Sequence, residues 1–254
     1  MRRASLVVAA IAVAASGLPL ATAATATAPA ISHRPRIPGP QVHSAGWSAS
    51  NWSGYAKSGS YTSATASWVV PSVSSTRSAS YSSAWVGIDG FTNSSLIQTG
   101  TESDWYNGKA HYNAWWEILP AAETPITSFS VRPGDVMTAN IAKVSGSSWT
   151  ITIKDSSNGG SFTTTQSYSG PGASVEWIEE APTVGGRVAT LAHYSSPDLF
   201  DPGTANGGSP GLTAADGGVM VQKRVQVSTP SLPDSDGDGF NMSYGATAPA
   251  APGS

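Results

Sequence analysis

Ala64-Thr65-Ala66-Ser67-Trp68-Val69-Val70 decides the reading of this chain. One parity is small or apolar and the other is largely Thr and Ser, the period-two signature of a half-buried strand. Similar runs recur at Ala84–Asp89, Ala110–Leu119, Val136–Lys143, Trp149–Lys154, Ser161–Ser167, Val175–Glu179, Arg187–Tyr194, Val219–Val227 and Phe240–Tyr244. Turn chemistry separates them at Arg132-Pro133-Gly134-Asp135, Ser145-Gly146-Ser147-Ser148 and Ser157-Asn158-Gly159-Gly160. No window shows a helical stripe. About ten short strands at this spacing predict an all-β antiparallel sandwich or barrel.

The composition narrows the chemistry. The chain has 254 residues, no cysteine, and 11% charged residues, where about 25% is ordinary for a soluble domain. That length suits one sandwich-sized unit. Without cysteine there is no disulfide scaffold, no thiolate metal site and no cysteine nucleophile. A net charge of −3 with no basic block argues against nucleic acid.

The two ends differ. Residues 1–23 read as a secretory signal, with basic Arg2 and Arg3, apolar Leu6 to Ala15, and the small-residue site Ala21-Thr22-Ala23. That run is too short to span a membrane, so a secreted, extracellular product is expected. Residues 24–44, rich in Ala, Thr and Pro and carrying His33, Arg34, Arg36 and His43, read as a linker or pro-segment. Residues 45–254 form the working domain. Taking four of the 13 basic residues with the leader leaves nine against 16 acids, about −7. This basic segment is expected to lie over an acidic cleft near neutral pH or to serve as a plain spacer.

Two tempting motifs fail on chemistry. Gly207-Gly208-Ser209-Pro210-Gly211 matches a nucleophile elbow, but the residue after the serine must donate its N–H to an oxyanion, and Pro210 has none. Asp234-Ser235-Asp236-Gly237-Asp238-Gly239 opens like a calcium loop, yet Gly245 stands where a bidentate glutamate is required, and a polar turn before a last strand is the plainer reading. No metal or cofactor is called for. Alternation puts Trp115 and Trp116 on opposite faces and gathers His111, Asn113, Trp115 and Glu117 on one. It likewise sets Glu176 with Ile178, opposite Trp177 and Glu179, so Glu176 is either a satisfied structural group or a tuned acid/base. A surplus of tryptophan on one concave face suits a polymer, polypeptide or glycan.

Five segments, Asn51-Trp52-Ser53-Gly54, Ala84-Trp85-Val86-Gly87-Ile88-Asp89-Gly90, Leu96-Ile97-Gln98-Thr99-Gly100, Asn113-Ala114-Trp115-Trp116-Glu117 and Val175-Glu176-Trp177-Ile178, occur in order over about residues 50–245. Together they resemble the glutamic peptidases, or eqolisins, secreted acid endopeptidases. The resemblance implies a lectin-like sandwich of two large antiparallel sheets, polypeptide substrates and no cofactor. It maps the catalytic pair onto Gln98 and Glu176, with Trp85, Asp89, Trp115 and Glu117 as binding or supporting residues. Asn113 stands where the family often has aspartate, and Ile118 and Leu119 where it has aromatics. In the implied mechanism Glu176, ionised at rest, activates water and later protonates the leaving amine, while uncharged Gln98 orients the water and stabilises the oxyanion. With so few cations and ion pairs, the domain is expected to stay folded near pH 3. The alternative is a glycan-binding sandwich, or a glycosidase pairing Glu176 with Glu117 or Asp89. A monomer without membrane or nucleic-acid partners is expected.

Overall fold

The computed structural model describes residues 28–41, 46–201 and 203–254; the signal-like stretch 1–23 lies outside them. Among the described residues nineteen strands follow in chain order: β1 (Ile31–Ser32), β2 (Trp47–Ala49), β3 (Trp52–Ser58), β4 (Ser63–Val69), β5 (Ser83–Ile88), β6 (Ile97–Tyr106), β7 (Lys109–Ile118), β8 (Thr124–Ile126), β9 (Val136–Ser145) and β10 (Ser148–Asp155). The rest are β11 (Ser161–Ser167), β12 (Ser174–Glu180), β13 (Thr183–Val184), β14 (Arg187–Val188), β15 (Asp198–Phe200), β16 (Thr204–Ala205), β17 (Gly217–Gln222), β18 (Val225–Pro230) and β19 (Phe240–Tyr244). Among the described residues the only helical piece is a 3-10 turn at Ala214–Asp216.

Hydrogen bonding runs along one path, β11-β10-β9-β4-β15-β19-β18-β17-β3-β12-β5-β6-β7-β8. The path folds back, so the β11-β10-β9-β4 arm faces the β3-β12-β5-β6-β7 arm in two antiparallel layers. Between them Trp68, Met137, Ile141 and Ile151 of the first arm meet Val86, Ile97, Ala114, Val175 and Trp177 of the second in one buried core. The alternation in Ala64–Val69 is matched by an alternating burial pattern in β4, as the pleat requires.

Four readings change. Val219–Val227 is two strands, β17 and β18, reversed at Lys223 and Arg224, whose φ values of 50° and 68° supply the left-handed pair a two-residue hairpin needs without glycine or asparagine. Arg187–Tyr194 shrinks to Arg187–Val188. Strand β6, absent from the predicted runs, is ten residues long and buried over its first eight. Its inward-facing polar side chains hid it from a hydrophobicity pattern. Finally, residues 28–41 are no plain spacer: β1 pairs with β13, Ile37 N–H donates to Asn51 Oδ1 at 2.8 Å, and Pro38 bridges Ala49.

β3 and β12 approach closely at Gly54, where φ is 125° and a Cβ would lie 2.3 Å from the Trp177 carbonyl oxygen. Trp68 is fully buried and donates its indole N–H to Thr101 Oγ1 at 2.9 Å, tying the two layers together. Trp68→Ala should lower the unfolding free energy by about 3–5 kcal/mol, the usual cost of emptying a buried aromatic site. Urea denaturation followed by tryptophan fluorescence measures it.

Candidate active site

The site lies on the face of the second arm that points away from the core. Antiparallel register puts Glu176 opposite Gly87, Gly87 opposite Gln98 and Gln98 opposite Glu117, one row across β12, β5, β6 and β7. The next row is Ile178, Trp85, Gly100 and Trp115, and the one beyond it Glu180, Ser83, Glu102 and Asn113. All are on the same face because their parities match. Trp52, Trp85, Trp115, Ile178, Leu96 and Ala49 form a second apolar cluster there, with Trp47 packed against it. Four of the nine tryptophans therefore line one face.

Gly87 puts no side chain between Glu176 and Gln98. A Cβ at 87 would lie 2.8 Å from Trp85 Cζ3, so the Trp85 ring leans over the gap. Gln98 donates Nε2–H to Glu117 Oε2 at 2.7 Å, which fixes the amide and leaves Oε1 without a partner. Both oxygens of fully buried Glu176 are likewise unpartnered. Native proteins rarely leave buried polar atoms this way, and such atoms cluster where chemistry is done. Burial pushes the Glu176 carboxyl well above its ordinary range, and the Asp89 charge adds to the shift.

Asp89 has a supporting place. Its φ of 75° turns the chain out of β5, and its oxygens accept from Tyr168 Oη, Gly172 N–H, Ala173 N–H and Asn93 Nδ2. Both oxygens are thus committed to holding two loops beside Glu176. Glu117 stands three strands from Glu176, about 14 Å between backbones at the usual strand spacing. Glycosidase carboxyls sit about 5–9.5 Å apart. Glu117 is thus too distant to partner Glu176 in that chemistry, and Asp89 has both oxygens committed to its loops.

The sequence reading missed what fills the cleft. His33 is fully buried, its ring stacked on Trp115 at 3.7 Å between centroids and 10° between planes. Its Nδ1 lies 3.0 Å from Glu180 Oε2, and its Nε2 lies 3.1 Å from Glu102 Oε1 and 3.3 Å from Glu123 Oε2. The same Glu180 oxygen accepts the Trp85 indole N–H at 2.9 Å, and His33 N–H donates to both Glu117 oxygens. Burial alone would lower the His33 pKa, but the Glu180 charge and hydrogen bonds to Glu102, Glu123 and Glu180 raise it well above the usual value. Asn51, buried at 1%, holds this strap through Arg34 O, Pro35 O and Ile37 N–H. The parity of β6 and β12 would have exposed Glu102 and Glu180 as cleft residues had β6 been recognised. Nothing in the local sequence marks His33.

The remaining motifs lie elsewhere. Ser209 sits on an exposed loop with its hydroxyl on the Asp236 carbonyl. Asp234 Oδ1 accepts from Gly237 and Asp238 N–H in a turn leading into β19.

A β-sandwich with an acidic, tryptophan-lined face carrying glutamine and glutamate in one row has the layout of the glutamic peptidases. The chain belongs to the Peptidase A4 family, whose pattern matches residues 50–242. It is 30% identical over 185 residues to aspergillopepsin-2 of Aspergillus niger, covering 63% of this chain and 66% of that protein. It is 35% identical over 112 residues to scytalidopepsin B of Scytalidium lignicola, covering 43% of this chain and 42% of that one. It thus spans less than two thirds of the length of either relative. A crystal structure of scytalido-glutamic peptidase with a transition state analog inhibitor superposes with a TM-score of 0.66 at 26% identity, covering 77% of this chain and 98% of that one. Among the described residues no helix is long and apolar enough to cross a membrane.

The raised carboxyls fix the sign of the pH dependence. Burial, foremost, pushes Glu117 up to about 8 and Glu102 up to about 7. Between about pH 4.5 and 8 the folded protein therefore holds protons that the unfolded chain releases, and stability falls as pH rises. His33 acts in the same sense: its stabilisation is complete below its unfolded pKa and is lost as pH rises through the folded one. The urea midpoint of the full chain should be higher at pH 4.5 than at pH 8, and Glu117→Gln should flatten the difference. A midpoint highest at neutral pH would contradict these assignments.

Proposed function

We propose that this chain is a secreted acid endopeptidase of the glutamic type that hydrolyses polypeptides with Glu176 and Gln98. The supporting observation is the row in which these two face each other across Gly87, each with buried, unpartnered oxygens. Family membership supports the activity class.

Peptide hydrolysis without a metal or a nucleophilic side chain needs a base for water, a donor for the oxyanion and an acid for the leaving amine. Gln98 supplies the second: fixed through Nε2 on Glu117, it offers its carbonyl to the attacking water and its amide N–H to the developing oxyanion. Glu176 supplies the other two, accepting the water proton and returning it to the amide nitrogen. The sequence reading has Glu176 ionised at rest, whereas burial favours the protonated form. Solvation by water and substrate in an opened cleft gives the ionised form that the base role requires.

Residues 24–44 then act as a pro-segment, since the strap at 28–41 lies where a substrate would pass. Its His33 seals the aromatic wall, and Arg36 N–H donates to the Gly90 carbonyl beside the Asp89 turn. Departure of the strap opens the row. The working enzyme is a monomer by this reading, with no cofactor.

Hydrolysis of denatured casein at pH 3–4 tests the pair. Gln98→Ala should cost about 10²–10³ in rate, and Glu176→Gln about 10²–10⁴ or more, with circular dichroism unchanged. Unaltered proteolysis by either variant refutes the pair. Wild type that binds glycans and cleaves no protein would favour the lectin alternative.

A further inference from the structure

Three ligand-type atoms from distant parts of the chain converge beside the cleft: His33 Nε2, Glu102 Oε1 and Glu123 Oε2. The imidazole nitrogen is 3.1 Å from the first carboxylate oxygen and 3.3 Å from the second, and the group lies within 4.8 Å overall. Two donors bound to one tetrahedral zinc, at about 2.0–2.1 Å for nitrogen and 2.0–2.2 Å for oxygen, stand about 3.3–3.5 Å apart. The two separations from Nε2 need only tenths of an ångström of adjustment, and the two carboxylate oxygens, within 4.8 Å of each other, close onto a shared ion by side-chain rotation of Glu123.

The surroundings orient the ring for this use. Nδ1 meets Glu180 Oε2 at 3.0 Å, and the Trp85 indole N–H holds that same oxygen. A metal-bound histidine characteristically donates its other ring N–H to a carboxylate, which fixes the tautomer and strengthens the ligand nitrogen. Stacking on Trp115 holds the ring plane. Glu102 is a second, independent sign: it is fully buried, and neither of its oxygens has a hydrogen-bond donor in good geometry. Glu123 has 7% of its side chain exposed, giving an ion a way in.

Charge points the same way. One imidazole faces Glu102, Glu123 and Glu180, while Glu117 takes the backbone N–H of the same residue. A proton on Nε2 brings a single positive charge to this group, while a divalent ion brings two and places them between the two carboxylates nearest Nε2. A mixed nitrogen and oxygen set of three, with a fourth position for water, suits zinc and not calcium, which takes six to eight oxygens.

We propose that His33, Glu102 and Glu123 bind a zinc-class divalent cation that staples the N-terminal strap to the cleft. The ligands come from the strap, from β6 and from the loop after β7, so the ion cross-links the segment to the sheet it covers. It is a latency device with no part in peptide hydrolysis.

The test uses the full chain carrying Glu176→Gln, which prevents self-processing, freed of metal by chelation at pH 7.5. Zinc chloride titrated calorimetrically should bind one to one. Cobalt(II) should give the visible absorption of a tetrahedral site. Tryptic cleavage after Arg36 should slow at least tenfold with zinc. His33→Ala and Glu123→Gln should abolish all three effects, and Glu180→Gln should weaken zinc about 10–100-fold. Glu123 is on a loop, so its variant folds independently of the buried ligands. No zinc binding, or equal affinity in His33→Ala and Glu123→Gln, overturns the site and leaves His33 an imidazolium among carboxylates. None of these readouts uses catalysis, so they stand or fall apart from the casein experiment.

Discussion

The structure depends on a burial constraint: nine of its sixteen carboxyl side chains are buried, with almost no cations to meet them. Among the described residues there are four ion pairs, and His33 makes three. Elsewhere a buried carboxyl must find backbone donors, as Asp89 does, or hold a proton. Burial raises Glu179 and Asp198 inside the sandwich well above the usual range, in the direction of the protonated form. A buried ionised carboxylate without a partner is costly, whereas the neutral acid needs only modest hydrogen bonding. Acid therefore completes this interior where it would dismantle a fold built on ion pairs.

The same constraint separates the two faces of the second arm. Core-facing positions of β5, β6, β7 and β12 include Val86, Ile88, Ile97, Ala114, Val175 and Trp177, an ordinary apolar set. Their alternates are Glu176, Gln98 and Glu117 beside Trp85 and Trp115. One sheet thus carries the apolar core on one side and the proposed active site on the other, and a register slip by one residue would exchange them.

Much of this was legible in sequence. Alternation located most of the long strands, and turn residues marked the hairpins around β9, β10 and β11. Parity put Glu176 with Ile178, and Trp115 with Glu117, as the structure does. Strand β6 escaped because Gln98, Glu102 and Asp104 interrupt any apolar period, although its first eight residues are buried. Lys223 and Arg224 escaped because their left-handed turn uses residues that seldom adopt it. The strap escaped for a different reason: its short strand pairs with Thr183–Val184, and the partners of His33 come from β6, β7, β12 and the loop after β7. A periodicity window cannot see side chains so far apart in the chain.

The position of β12 bears on biogenesis. It lies between β3 and β5, yet it is synthesised about ninety residues after β5. Until residues 174–180 emerge, β3 and β5 each have an open edge, and an open edge invites pairing with another chain. The N-terminal half cannot close by itself during synthesis, and the late strand brings both the missing ladder and Glu176. The nascent chain thus cannot bring the proposed pair of Gln98 and Glu176 together before β12 has joined β5.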